Sequence, residues 1–118
     1  MKHLNEKRLE KVILPTRVQN HELRGNDKAY YIKSDNTIDE LDSKREYDLN
    51  ELQEMVGGYI QVIYNLPDDK IMIINEEGKL MKHDFNFYAT NLALYNRSIA
   101  SDDCVVGDAV VLNHKQLT

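Results

Sequence analysis

The amino-acid sequence predicts an α+β fold in which a small, mainly antiparallel sheet carries two short helices and follows an N-terminal helical extension. The length of 118 residues is enough for one hydrophobic core and too short for two. Short segments rich in β-forming residues alternate with turn signals, which is typical of strands joined by tight turns. Two other segments have apolar residues at helical spacing, each preceded by a residue that can cap a helix. Together these observations favour a sheet with one helix packed on a face.

The chain is predicted to divide into an N-terminal extension, residues 1–28, and a single α+β domain, residues 29–118. Four apolar residues of the extension recur at loosely helical spacing: Leu4, Leu9, Val12 and Ile13. Pro15 ends this pattern, and the polar residues 16–28 are predicted to form a loop. A helix of about three turns is marginal by itself in water, so it needs a surface to pack against. That surface is either its own domain or a neighbouring subunit, which makes the helix the candidate contact of a homo-oligomer.

Two hairpins are predicted in the domain. The segments Ala29–Lys33 and Thr37–Leu41 are rich in β-forming residues and flank a Ser-Asp-Asn turn. The segments Tyr59–Asn65 and Ile71–Ile74 flank a Leu-Pro-Asp-Asp turn, with proline in the favoured second position. The second hairpin has the stronger signal, because Ile71–Ile74 is a continuous apolar run of the kind found in buried strands.

The clearest helix signal lies between these hairpins. Asp48 is positioned as the N-cap, and Glu51 three residues later completes a capping box. The apolar residues that follow share one face of the helix: Leu49, Leu52, Met55 and Val56. The helix is predicted to end at Gly57-Gly58, because glycine adopts the left-handed conformation after a helix without a steric penalty.

A second helix is predicted over Phe85–Tyr95, with Asp84 as its cap. Its apolar face is predicted to contain Phe85, Ala89, Leu92 and Ala93. Its solvent face is predicted to contain Asn86, Thr90 and Asn91. Before this helix, the turn Asn75–Gly78 is predicted to need a positive φ at Gly78, and Lys79–Met81 is the candidate for a short third strand.

The C-terminal part of the chain is predicted to be β-structure. Cys104–Val106 and Ala109–Leu112 are both rich in β-forming residues. Gly107-Asp108 lies between them and indicates a sharp bend or a bulge within one strand system.

Composition and charge argue against several functional classes. The chain holds 15 Lys+Arg and 20 Asp+Glu, and its net charge of −5 and pI near 5.3 disfavour nonspecific binding to duplex DNA. Charge is uneven, since residues 1–28 carry a net +3 and residues 34–54 a net −6. A single cysteine rules out an internal disulfide framework, and no apolar run approaches the length of a membrane span. The start of the chain lacks the apolar stretch of a signal peptide, so we expect a cytoplasmic protein with no membrane partner.

No pattern in the sequence indicates a catalytic centre. The histidines lack metal-ligand spacing, although His83 and His114 could meet through folding. Cys104 lies in an apolar segment after Asp102 and Asp103, which oppose formation of a thiolate. The paired carboxylates lie in predicted turns, where they face water rather than converge in a cleft. We therefore expect no catalytic residues, no metal and no cofactor, and a protein that is not an enzyme.

A polar and aromatic set around the second hairpin and the second helix is the candidate for a ligand site. An aromatic ring can stack on a base, a cationic group can bind phosphate, and an asparagine can recognise a base edge. The set consists of Tyr59, Lys79, Lys82, Asn86, Tyr88, Asn91 and Arg97. These residue types are equally typical of an ordinary solvated surface, so both interpretations stay open at this point.

Four stretches carry a resemblance to a known family: Asp48-Leu-Asn-Glu-Leu-Gln-Glu-Met-Val-Gly-Gly-Tyr-Ile60, Ile73-Ile-Asn-Glu-Glu-Gly-Lys-Leu80, Asn86 with Ala89-Thr90-Asn91-Leu92, and Val105-Val-Gly-Asp-Ala-Val-Val-Leu112. In this order and spacing they resemble a small uncharacterised domain family of phages, prophages and conjugative elements. The resemblance extends from Tyr30 to Leu112 and leaves the N-terminal extension outside. The family is known only as a domain of unknown function, so it offers no catalytic residues to carry over.

The resemblance implies an accessory protein of a phage or mobile element that acts in the cytoplasm of a bacterial host. Small acidic proteins of this kind often counter host defence, so the leading hypothesis is a non-enzymatic antagonist that sequesters a small nucleotide signal. The first alternative is an acidic inhibitor that binds a host defence protein or nucleic-acid enzyme, with residues 34–54 as its contact. The second alternative is a nucleotide-processing enzyme, which the missing catalytic set disfavours.

Overall fold

The computed structural model of the chain describes residues 27–118. The predicted N-terminal helix and its oligomer contact lie outside these described residues. Two helices and five strands follow in the order β1 (Ala29–Ile32), β2 (Ile38–Leu41), α1 (Leu49–Val56), β3 (Ile60–Leu66), β4 (Lys70–Asn75), α2 (Phe87–Tyr95) and β5 (Ala109–Asn113). No helix among the described residues has the length and apolar character needed to cross a membrane.

The strands form one antiparallel sheet in the order β2-β1-β5-β4-β3. The last strand of the chain therefore lies between the first strand and the second hairpin. All five residues of β5 are buried, which agrees with its nearly continuous apolar sequence. The predicted α+β fold with a mainly antiparallel sheet and two short helices is confirmed.

A hydrophobic core lies on each face of the sheet. Along β5, Val110 and Leu112 belong to the core beneath α1, and Ala109 and Val111 belong to the core beneath α2. This alternation follows from the period of two along a strand. Because both faces are covered, the architecture has three layers, with one helix on either side of the sheet.

Helix α1 follows its local sequence signals closely. The carboxylate of Asp48 accepts a hydrogen bond from the Glu51 amide at 2.9 Å, and the Glu51 carboxylate accepts from the Asp48 amide at 3.3 Å. Gly57 ends the helix in the left-handed conformation, with φ +83°. Leu52 and Val56 are buried, whereas Leu49 is half exposed, so the apolar stripe is buried mainly at its C-terminal end. The hairpin of β3 and β4 is also confirmed, with Ile60 opposite Asn75 and Ile63 opposite Met72.

The predicted start of the second helix was wrong. Helix α2 begins at Phe87, and its cap is Asn86, whose side-chain oxygen accepts from the Ala89 amide at 3.0 Å. The predicted cap, Asp84, instead accepts a backbone hydrogen bond from Gly107 at 2.7 Å. Phe85 forms a single β-bridge with Val106 and is largely exposed, so it does not belong to the apolar face of the helix.

The predicted solvent face of α2 was wrong at two positions, because Asn86 and Thr90 are both buried. The Nδ2 group of Asn86 donates to the carbonyl of Ile32 at 2.9 Å and to that of Gly107 at 2.8 Å. The hydroxyl of Thr90 donates to the Val105 carbonyl at 3.1 Å and accepts from the Val105 amide at 2.8 Å. Both side chains thus hydrogen-bond backbone that is distant in sequence, which helical periodicity does not reveal.

Two short strands predicted beside these elements do not form. Residues 79–81 lie in a hydrogen-bonded turn, in which the Met81 amide donates to the Glu77 carbonyl at 2.9 Å. The positive φ of this turn occurs at Lys82 (φ +58°), and Gly78 has none. Gly78 is needed for close approach instead, since a Cβ atom there would lie 3.0 Å from Val106 Cγ2. Of residues 104–106, Val106 alone forms a β-bridge, and the predicted bend is confirmed at Gly107, with φ +76°.

Replacing Asn86 by alanine is expected to destabilise the domain by about 3 kcal/mol. The change removes a helix cap and leaves the carbonyls of Ile32 and Gly107 buried without their donor. Urea denaturation followed by circular dichroism measures the effect. The matched control is Asn91→Ala in the same helix, where the side chain is only partly buried and a change within about 0.5 kcal/mol is expected. Equal stability of the two variants would contradict the structural role of Asn86.

Replacing Gly107 by alanine is expected to destabilise the domain by about 2 kcal/mol, through its positive φ and a contact of 2.7 Å between the new Cβ and His83 Nδ1. The double variant with His83→Ala separates the two causes. Without the imidazole, the part of the unfolding free energy that was lost to the contact is expected to be recovered. The part that was lost to the backbone conformation at residue 107 is expected to remain lost. If the losses of stability measured by thermal denaturation for Gly107→Ala and His83→Ala simply add in the double variant, the contact with His83 contributes nothing to the effect of Gly107→Ala.

Candidate functional site

A groove of about 440 Å³ opens where three parts of the fold meet. Its walls are the C-terminal end of α1, the turn between β1 and β2, and the connection from β4 to α2. Both residues of the bend at Gly107-Asp108 also line the groove. Lys82 is the one member of the predicted ligand set that lines it.

Several polar side chains of the groove hold its walls together. The Tyr31 hydroxyl donates to the Met55 carbonyl at 2.6 Å, which joins β1 to the last turn of α1. The Asp108 carboxylate accepts from the Ser34 amide at 2.9 Å, which joins the bend to the β1–β2 turn. Burial, with the nearby carboxylates of Asp108 and Asp39, raises the pKa of Tyr31 above its usual value. The tyrosine therefore stays a neutral hydrogen-bond donor and is poorly suited to act as a base.

The charges that line the groove do not favour a phosphate group. Three carboxylates, those of Glu54, Asp84 and Asp108, line it together with Lys82 and His83. Acidic groups thus outnumber the lysine, so the groove is better matched to hydrogen-bond donors than to an anion. His114 lies elsewhere, 3.7 Å from Asp69 and edge-on to Tyr64. No group of three metal-ligating side chains converges among the residues that the structure describes.

The seven residues of the predicted ligand set do not form one site. Asn86 and Tyr88 are buried in the core, where burial raises the pKa of the Tyr88 hydroxyl. Lys79 forms an ion pair with Asp103, which holds the pKa of that carboxyl below its usual range. Tyr59 is exposed just before β3, and Asn91 is partly buried on α2.

Arg97 lies at a second depression, which has a volume of about 500 Å³. Leu94 and Ile99 give this depression an apolar wall, and Ser101 is its other lining residue. Arg97 has a positive φ of +56°, and no ion pair engages it among residues 27–118. The three cations of the predicted set are therefore in different settings: Lys79 is in an ion pair, Lys82 lines the groove and Arg97 lines this depression.

Four of the eight large apolar side chains that are exposed among the described residues lie within residues 80–87, in the connection between β4 and α2 and at the first residue of α2. We call this set the apolar connection; it consists of Leu80, Met81, Phe85 and Phe87. Leu80 is 82% exposed and Met81 54% exposed, which is unusual for side chains of this size in one short segment. The sequence pattern did not indicate this surface, because it predicted a strand at Leu80 and Met81 and a buried helix face at Phe85.

Local contacts engage part of the acidic stretch over residues 34–54. Its carboxylates form three ion pairs with neighbouring cations: Lys28–Glu40, Lys33–Asp39 and Arg45–Glu51. Asp48 caps α1, and the Thr37 hydroxyl donates to Asp35 at 2.6 Å and lowers the pKa of its carboxyl. The stretch therefore presents a weaker negative surface than its composition indicates.

Comparison with known proteins identifies a family and no individual relative. No curated protein and no solved structure matches the chain. The profile of the family described as "Domain of unknown function (DUF3846)" matches residues 27–116, about three quarters of the chain. This interval contains every strand and helix of the described fold and the groove. The chain therefore belongs to the DUF3846 family of domains of unknown function.

Proposed function

We propose that this protein acts by binding another protein, without catalysing a reaction, and that the apolar connection is its contact surface. The observation that carries the proposal is the exposure of four large apolar side chains within eight residues of sequence. Exposed apolar side chains that cluster on a small domain mark interaction sites far more often than isolated ones do. The polar side chains of the groove, in contrast, are engaged in holding the scaffold, as Tyr31 and Asp108 illustrate.

Rigidity of the apolar connection supports this function. Backbone hydrogen bonds brace its turn, from Lys82 to the Lys79 carbonyl at 3.2 Å and from His83 to the Gly78 carbonyl at 2.9 Å. Phe87 packs edge-on against the buried ring of Tyr88, with the ring centroids 5.2 Å apart. A segment that is already ordered loses little conformational entropy on binding, so more of its contact energy appears as affinity.

The chemistry of the surface indicates the kind of partner. Leu80 and Met81 project from a braced turn, so a partner with a concave apolar site would bury them well. Lys82 lies next to them and has no ion pair among residues 27–118, which favours an acidic rim on the partner. With the resemblance to proteins of phages and mobile elements, we infer that the partner is a bacterial host defence protein in the cytoplasm and that binding antagonises it.

Leu80→Asp is expected to weaken binding of the partner by about thirtyfold, since burial of a leucine side chain contributes roughly 2 kcal/mol. The partner is first isolated from host lysate on the immobilised full chain, and its affinity for each purified variant is then measured by calorimetry. Leu49→Asp is the matched control, because Leu49 is a half-exposed leucine on α1, outside the apolar connection. Equal affinities of the two variants would rule out the apolar connection as the contact.

Sequestration of a small nucleotide signal is the second candidate function, favoured by the depression at Arg97. A base could pack against the apolar wall of Leu94 and Ile99 while the Arg97 guanidinium binds phosphate. The volume of about 500 Å³ is within the range of small-molecule sites. Since Lys79 is already paired with Asp103, Arg97 would be the main phosphate contact.

Native mass spectrometry of the full chain with cyclic and linear nucleotides tests this second function. If the depression binds a nucleotide, the wild type retains one intact ligand per chain and Arg97→Ala loses it. Arg45→Ala is the matched control, because the Arg45 guanidinium already pairs with Glu51. A wild-type spectrum without any bound nucleotide, or an Arg97→Ala variant that still binds, would contradict this function and leave the proposed protein contact untouched.

A further inference from the structure

Helix α2 is built like a helix that is covered on both sides. Residues 85–96, which contain the whole helix, include no charged side chain. The side chains that point away from the sheet recur at helical spacing, and we call them the outer face of α2: Phe87, Asn91, Leu94 and Tyr95. Tyr95 is 64% exposed. A surface helix normally carries charged residues on its solvent side, so this face is suited to contact with another apolar segment.

The described chain begins on the same side of the sheet as α2. The Asp27 carbonyl accepts from the Asn113 side-chain amide at 2.7 Å, and the Lys28 carbonyl accepts from the ammonium group of the buried Lys70. Lys70 and Asn113 lie opposite each other on β4 and β5. Each is two positions along its strand from a member of the core beneath α2, so both side chains project onto that face. The chain therefore enters the domain on the α2 side.

This entry point is close to the C-terminal end of α2. The hydroxyl of Ser98, which follows the helix, donates to the carbonyl of Asn65 in β3 at 3.1 Å. Since the strands are antiparallel in the order β1-β5-β4-β3, β1 starts at the end of the sheet where β3 ends. Three interstrand spacings separate these two strands, which is a distance of about 14 Å. The outer face of α2 is thus within reach of the segment that precedes residue 27.

The sequence before residue 27 has the apolar pattern and the length to cover this face. Leu9, Val12 and Ile13 share one side of the helix that is predicted before Pro15. Residues 15–26 can extend over at most about 40 Å, which exceeds the distance to be bridged. A short connection gives the attached segment an effective concentration in the millimolar range. Contact within one chain is therefore favoured over contact with a second copy.

We propose that the apolar side of residues 4–14 packs against the outer face of α2 in the same chain, centred on Leu94 and Tyr95. Burial of this side stabilises a helix that is marginal by itself. Since Leu94 also lines the depression at Arg97, the bound segment and a nucleotide would compete for that depression. The apolar connection lies before and at the start of the helix, so a partner can bind there while the segment is in place.

Tryptophan fluorescence tests the contact, because the chain contains no tryptophan. In the full chain with Tyr95→Trp, the introduced indole is expected to emit at short wavelength and to be poorly quenched by acrylamide. Adding Leu9→Asp and Ile13→Asp is expected to shift the emission to longer wavelength. The quenching constant is expected to rise to that of Tyr59→Trp, which replaces an exposed tyrosine outside α2.

The matched control adds Val18→Asp and Leu23→Asp instead, in the connection between the segment and the domain, and should leave emission and quenching unchanged. Emission that is independent of protein concentration is expected for a contact within one chain. An indole that becomes exposed on dilution would assign the face to a second copy and overturn the proposal. An indole as easily quenched as that of Tyr59→Trp, or one that stays shielded with Leu9→Asp and Ile13→Asp, would also overturn it.

Amide hydrogen exchange tests the same contact from the side of α2. In the full chain, the amides of residues 8–14 are expected to exchange slowly. Leu94→Asp is expected to make them exchange quickly, because it places a charge in the centre of the contact. Ala100→Asp, at an exposed residue after the helix, is the matched control and should have no effect. Fast exchange of these amides in the unmodified chain, or slow exchange with Leu94→Asp, would contradict the contact. Thermal denaturation verifies that the variants fold.

Discussion

The buried carboxamide of Asn86 joins three parts of the fold that are far apart in sequence. Its oxygen caps α2, and its nitrogen donates to the carbonyl at the end of β1 and to that of Gly107, two residues before β5 begins. These bonds position α2 over one face of the sheet and place the start of β5 beside β1. Because all polar atoms of the side chain are used inside the core, substitution affects the helix and both strands together.

The surface that we propose for recognition of another protein depends on this junction. Asn86 and the bend at Gly107 hold the C-terminal end of the segment that carries the apolar connection, and a Cβ atom at Gly107 would collide with His83 in that segment. The groove beside it is closed by the bond between Ser34 and Asp108, one residue after the bend. This junction thus presents an exposed apolar turn in a fixed position, which would reduce the entropy lost on binding of the proposed partner.

Many polar side chains of the domain form ion pairs or hydrogen bonds with other residues of the same domain. Carboxylates of the acidic stretch pair with nearby cations or cap a helix, and Lys79 is occupied by Asp103. Among the described residues, the exposed side chains of the apolar connection stay available, and Lys82 and Arg97 have no ion pair. Recognition through the apolar connection relies on burial of apolar area, which is the reason we propose a binding protein.

The sequence by itself determined the elements that depend on neighbouring residues. The capping box of Asp48 and Glu51, the glycine that ends α1 and the β3–β4 hairpin are all local, so short-range patterns predict them. Only the tertiary structure decided the strand order, the burial of Asn86 and Thr90, and the dispersal of the predicted ligand set. Those features rest on contacts such as Asn86 with Ile32, between residues 54 positions apart, which no local pattern encodes. The exposure of the apolar connection also could not be predicted from local patterns. The helical spacing of Phe85 does not show whether the folded sheet covers its side chain.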